Sequence, residues 1–212
     1  ATLALPLAFR QLIDLGFADV AAAGAAAGAG VNRAFLGLFA VAVLLRFAMQ
    51  AMRVPFSNSF AQFIVKITDF VVRPVRRVIP GWGGYDWASL LLAWLIEALV
   101  AFALLLVKGF PFSLAGPWVW PALLGLGAVQ LARTALYLII GLTLVRAVLS
   151  WVNPYSPLSP VIYPLTEPLM RPFRRMLPES QIDFSPLVLI ILCQFLLVVP
   201  LAALERAVLG AF

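Results

Sequence analysis

Thr68–Pro80 reads TDFVVRPVRRVIP, and Thr166–Pro178 reads TEPLMRPFRRMLP. Six of these 13 positions are identical, and the second position exchanges one acid for another. A duplication of this kind sets the architecture of a whole chain, so the rest of the sequence is read outward from it. Upstream, Arg33 and Arg46 precede the first copy as Arg133 and Arg146 precede the second, at the same spacing of 13 residues. Downstream, Asp86 matches Asp183, and Glu97 matches Gln194. One small length change before Thr68 and another after Pro80 keep the register. The repeating unit is about 100 residues long and spans most of the 212-residue chain.

The solvent for this unit follows from composition. Hydrophobic residues make up 64% of the chain and charged residues 11%, with a mean hydropathy of +1.04. Soluble domains carry about 25% charged residues, and a core of this size could not bury so much apolar surface from water. Four segments are long and apolar enough for a hydrocarbon core, which takes about 20 helical residues. They are residues 34–54, 87–107, 134–151 and 186–204, the third with a helix that starts as early as Ala122. The apolar runs do not alternate as barrel strands would. We therefore expect an all-α membrane protein, with four transmembrane helices arranged as two tandem helical hairpins, each carrying an amphipathic, Pro/Arg-rich interfacial loop. Residues 31–108 form the first repeat, 109–121 a connector, and 122–212 the second repeat.

Residues 1–30 form an extension ending in the Ala/Gly run Ala21–Gly30. They lack a charged start before the first apolar stretch, and Asp14 and Asp19 interrupt them. The expectation is an interfacial or weakly ordered tail and not a cleavable signal peptide.

Two spans return the chain to its starting side. The copies thus share a parallel topology about an axis along the membrane normal. Both basic loops, residues 55–86 and 152–185, fall on one face. That face has eight Lys or Arg residues, counting Arg53 at its edge, against five on the other (Arg10, Arg33, Lys108, Arg133 and Arg206). The positive-inside rule places the loops in the cytoplasm and both termini outside. The net charge of +6 sits beside prolines at the ends of apolar runs, which fits a membrane surface and excludes nucleic acid as the expected partner.

Within the first loop, Phe60, Phe63, Ile64, Ile67, Val71, Val75 and Val78 recur at helical spacing. Gln62, Lys66, Asp69, Arg73, Arg76 and Arg77 fall on the other face. A helix patterned this way lies in the interface with its arginines toward phosphate. Pro74 is expected to kink it or to start a second short helix. The second loop carries Pro160, Pro164, Pro168 and Pro172 at every fourth position, so broken helical turns are expected there. The arginine clusters Arg73, Arg76 and Arg77, and Arg171, Arg174 and Arg175, are the candidate sites for anionic lipid headgroups or a docking protein. Asp69 and Glu167, seven residues before Arg76 and Arg174, are expected to tether or cap the loops.

Polar residues inside the spans form the second candidate set. Arg46 and Arg146 lie near the loop ends of their spans and are long enough to snorkel. Glu97, near the middle of its span, is too short for that, and an ionisable group at that depth faces protein or a wet cavity by default. We expect Glu97 to pair with Arg46, and Gln194 with Arg146. The chain has no histidine and one cysteine, Cys193, within an apolar run. It carries no recognisable nucleophile, metal-ligand or phosphate-loop motif. The expectation is a protein that is no enzyme and holds no cofactor or metal.

The doubled motif, the LSWVNP start at Leu149–Pro154 and the IDFSPLVL stretch at Ile182–Leu189 closely resemble the YggT family of bacterial inner-membrane proteins. The resemblance covers about residues 32–208, with Arg53-Val54-Pro55 departing from Asn153-Pro154 of the second copy. It implies a multi-pass protein of the bacterial inner membrane, without enzymatic activity, linked to osmotic or ionic stress and to potassium handling, or to assembly of membrane complexes. The functional expectation is a scaffold or accessory protein whose basic loops bind anionic lipid and a membrane-protein partner or a second copy. The alternative is a subunit of an ion-permeation or osmoadaptation system using Arg46, Glu97, Arg146 and Gln194.

Overall fold

The computed structural model describes residues 30, 33–112, 115–176 and 183–210. Residues 1–29 of the N-terminal extension lie outside the described residues. The described chain is helical. Helix α1 spans Arg33–Ala51, α2 Ser59–Val78, α3 Trp87–Val107, α4 Val119–Val152, α5 Ser159–Met176, α6 Ser185–Val198 and α7 Pro200–Leu209. Four segments are long and apolar enough to cross a membrane: α1, α3, α4, and α6 with α7. The chain is thus a multi-pass all-α membrane protein of two tandem hairpins, with α2 and α5 as the loop helices.

Local chemistry sets the helix ends. Asn58 caps α2 by accepting from the Phe60 N–H at 2.9 Å. Asp86 caps α3 by accepting from the N–H and hydroxyl of Ser89. After α3, Gly109 takes the left-handed conformation at φ 72°, and the Phe110 N–H closes back on the Leu105 carbonyl at 3.0 Å. Arg53 does the same after α1 at φ 53°, a conformation disfavoured for a side-chain-bearing residue. The Val54 N–H bonds the Met49 carbonyl, and Val54 itself is buried. In the second copy Asn153 has φ −156° instead, so the two turns differ in geometry as well as in sequence. One turn residue, Val199, separates α6 from α7, because Pro200 has no N–H to continue the helix.

One correction concerns the loop helices. Segment α5 is one continuous helix through Pro164, Pro168 and Pro172, not broken turns. Each proline withdraws one donor from a carbonyl four residues earlier. With four-residue spacing the orphaned carbonyls of Pro160, Pro164 and Pro168 line up on one side. Val161, Ile162, Leu165, Thr166 and Met170 are buried and keep the helix in place. Segment α2 likewise runs unbroken past Pro74. Its buried stripe is Ala61, Ile64, Thr68 and Val72, while Phe63, Phe70 and Val78 are 57–80% exposed. Those three are available to lipid.

The core divides by repeat. Ala40, Val43 and Leu44 of α1 pack with Val72 of α2 and with Leu92, Ala93, Ile96 and Val100 of α3. In the second repeat, Ile140 of α4 packs with Met170 of α5 and Leu189, Cys193 and Leu197 of α6. Several contacts join the repeats. Ala61 and Ile64 of α2 share a buried cluster with Val161 and Leu165 of α5, and Asn58 donates to the Pro157 carbonyl. Helix α3 packs along α4, where Gly127 meets Ala98 so closely that an added Cβ would stand 2.7 Å from the Ala98 Cβ. The amphipathic α7 continues along α4, with Glu205 ion-paired to Arg133 and accepting from Gln130 at 3.2 Å.

Candidate functional site

The threonine–acid pair that opens each copy of the motif meets the arginine of the preceding span. The Arg46 side chain is 5% exposed. Its guanidinium donates to Thr68 Oγ1 at 3.0 Å and to Asp69 Oδ1 at 3.0 Å. Thr68 gives its own proton to the Ile64 carbonyl one turn back, at 2.7 Å, which leaves its oxygen free to accept from Arg46. The second copy repeats this arrangement. Arg146 donates to Thr166 Oγ1 at 2.8 Å and Glu167 Oε2 at 2.7 Å, and Thr166 donates to the Ile162 carbonyl at 2.8 Å. The doubled threonine therefore has a reason: a hydroxyl that bonds its own helix turns an acceptor toward the arginine.

A second fastening lies at the far end of each loop helix. Arg76 is ion-paired with Asp86, which is fully buried, and donates to Gln50 at 3.0 Å. Arg174 donates twice to Asp183, at 2.9 and 2.6 Å. Asp86 and Asp183 also accept from Ser89 and Ser185 at the start of α3 and α6. Each loop helix is thus fastened to the span before it and to the span after it.

The electrostatics agree. Burial alone would raise the Asp86 carboxyl, but the hydrogen bonds and charge of Arg76, with the Ser89 bonds, outweigh it and hold the group below the usual range. Asp183 is lowered in the same way, with Ser185 and Arg174 overcoming desolvation. Glu167 is lowered chiefly by its hydrogen bond from Arg146, with the charges of Arg146, Arg174 and Arg171 adding to it against desolvation.

This geometry corrects two expected pairings. Glu97 does not meet Arg46; it is buried between α3 and α4 and accepts from Thr134 Oγ1 at 2.5 Å. Gln194 does not meet Arg146; it lies exposed on α6. Both arginines are satisfied within their own repeat, chiefly by residues of the loop helix that follows, with Asp86 at the start of α3 also 3.9 Å from Arg46. The three arginines of each cluster also separate. Arg76 and Arg174 are committed to aspartates. Arg73, Arg77 and Arg175 are exposed and, among the described residues, have no hydrogen-bond or ion-pair partner. Arg171 is 68% exposed, with only a 3.9 Å contact to Glu167.

The copies also differ beside Arg46 and Arg146. In the first, Arg46, Gln50, Phe56, Val65, Asp69 and Arg76 line an open cavity of about 470 Å³ between α1 and α2. In the second, Tyr163 stands where Val65 does, and its ring lies 4.7 Å from the Arg146 guanidinium carbon. The Tyr163 stacking and the Arg133–Glu205 pair were not legible as sites, because both fall outside the repeated motif.

A family model described as CCB3/YggT matches residues 26–107 and 126–204, two segments that coincide with the two hairpins. The chain belongs to the CCB3/YggT family. Among its relatives is the Escherichia coli K12 protein YggT, described as uncharacterized, which is 41% identical over 157 residues, covering 73% of this chain and 79% of that one. An uncharacterized Vibrio alginolyticus protein encoded in the proC 3' region is 38% identical over 161 residues, 74% of this chain and 84% of its own. A Pseudomonas aeruginosa protein, also described as uncharacterized, is 36% identical over 155 residues, 71% of this chain and 76% of its own. No solved structure matches this CCB3/YggT chain.

Proposed function

We propose that this protein is a non-enzymatic scaffold or accessory protein of the bacterial inner membrane. It presents two basic interfacial helices on the cytoplasmic face to anionic headgroups and a protein partner. The division of labour within each arginine cluster carries this reading. Arg76 and Arg174 hold the loop helices to the spans, while Arg73, Arg77, Arg171 and Arg175 stay exposed. A tethered helix with exposed guanidiniums loses little freedom on meeting a phosphate, so its binding energy is not spent on ordering. Exposed Phe63, Phe70 and Val78 give α2 an apolar surface for the acyl boundary. Trp82, Tyr85, Trp87, Trp151 and Tyr155 are exposed around the same loops, as aromatic belts require. The sidedness rests on the excess of basic residues, and a role in osmotic or ionic stress rests on the family resemblance alone.

The test is lipid retention. Wild-type protein and an Arg73, Arg77, Arg171 and Arg175→Gln variant are reconstituted with mixed phosphatidylglycerol and phosphatidylcholine, and co-purifying lipid is measured. Each basic residue near a charged surface contributes about 1 kcal/mol, so the variant should lose most of its preference for the anionic lipid. Unchanged retention refutes the reading. Cation flux through the reconstituted protein that Glu97→Gln abolishes would favour the permeation alternative.

A further inference from the structure

Helices α3 and α6 are repeat equivalents, yet only one of them has its outer face covered. In α3, Trp94, Glu97, Ala98 and Ala101 face α4. Trp94 donates to the Leu124 carbonyl at 3.0 Å, Glu97 accepts from Thr134 at 2.5 Å, Ala98 abuts Gly127, and Ala101 packs with Leu123. This face is the seam between the repeats. The equivalent positions in α6, by the match of Glu97 with Gln194, are Ile191, Gln194, Phe195 and Val198. All of them are exposed, Ile191, Phe195 and Val198 at 59, 57 and 68%.

The middle of this exposed stripe is a primary amide. Gln194 lies nine residues into α6, about 13 Å along the helix from its start. It has no hydrogen-bond partner among the described residues. An amide in hydrocarbon has no water to bond, so it is poorly solvated unless another protein surface supplies a partner. We propose that this face of α6 is a homodimer interface, in which Gln194 of one copy bonds Gln194 of a second across a two-fold axis.

Two features select a second copy. A carboxamide both donates and accepts, so it is self-complementary and suits an isologous contact, in which like residues meet. The seam within the chain does not suit that contact, because the glutamate of α3 is an acceptor that needs the hydroxyl of Thr134. A head-to-tail copy of the seam is also disfavoured. The residue of α1 equivalent to Thr134 is Ala34, which has no hydroxyl. Phe195 in place of Ala98 prevents the close backbone approach seen at Gly127. The interface extends the repeat seam outward and is independent of headgroup binding by the arginines.

The test is cross-linking in native membranes. Cys193 is the sole cysteine and is buried, so a Cys193→Ser background removes it without touching the stripe. In that background, Gln194→Cys should form a disulfide-linked dimer of the full chain, whereas Leu144→Cys, on an exposed position of α4, should not. Resonance energy transfer between labelled copies in dilute liposomes should fall several-fold for Gln194→Leu and be retained by Gln194→Asn. Equal transfer for wild type and Gln194→Leu overturns the proposal. So does Gln194→Cys joined to a different protein, or cross-linked no faster than Leu144→Cys. Lipid retention by the arginines reads the headgroup reading separately.

Discussion

Arg46 and Arg146 show how a costly residue becomes a structural one. Each guanidinium is nearly dry, and each is met by a hydroxyl and a carboxylate. Removing one member of a buried pair strands the other, at a cost of roughly 3 kcal/mol or more. Asp69 and Glu167 are 41 and 30% exposed and can rehydrate, so Arg46→Met or Arg146→Met should cost at the lower end, about 3 kcal/mol. Unfolding by denaturing detergent in mixed micelles measures it, and adding Asp69→Asn to Arg46→Met should change stability little further. The lowered carboxyls give a pH signature of known sign. Asp86, Glu167 and Asp183 titrate lower when folded than when unfolded. Their contribution is therefore complete above the unfolded value of about 4 and is lost as pH falls through the folded values. Melting temperature should be level from neutral to about pH 5 and fall below about pH 4. An Asp86→Asn and Asp183→Asn variant should melt lower at neutral pH and lose less in acid.

The elements obey their neighbours more than their own propensities. Three prolines inside α5 would end a free helix, yet burial of Val161, Ile162, Leu165, Thr166 and Met170 holds it continuous. The α3–α4 seam depends on one glycine in the same way. A methyl at Gly127 would stand 2.7 Å from Ala98 Cβ and 2.9 Å from its Cα, and neither atom can move without its helix. Gly127→Ala should destabilise the protein by about 1–3 kcal/mol. Gly141→Ala, in the same helix with nothing within 4 Å of the added carbon, should be neutral or stabilise by up to ~1 kcal/mol. Thermal unfolding of the two variants side by side decides this.

At the scale of the molecule, two hairpins of like topology place both loop helices on one face, joined by the α2–α5 cluster and the Asn58–Pro157 bond. Sidedness can be read with one probe. Tyr155 is 96% exposed in the second loop and the native cysteine is buried, so Tyr155→Cys should resist an impermeant thiol reagent in intact cells with a permeabilised outer membrane. It should label only in inverted inner-membrane vesicles. Labelling of the intact cells would reverse the orientation.

The amino-acid sequence alone determined the number of spans, the tandem repeat and the shared face of the loops. These depend on length, hydropathy and local identity, which survive without contacts: residues 87–107 were bounded as α3 is, and the doubled motif marked both loop helices. It marked the threonine–acid pairs and the arginine clusters too, but not which of them meet. Only the tertiary structure decided that Arg46 reaches Thr68 and Asp69, that Glu97 turns to Thr134, and that Gln194 faces outward. The physical reason is direction. A polar residue in an apolar span announces that it needs a partner, but which partner depends on the helix face and on the helix packed against it. An interfacial helix folding back on its own span supplied the partner here before any neighbouring span could.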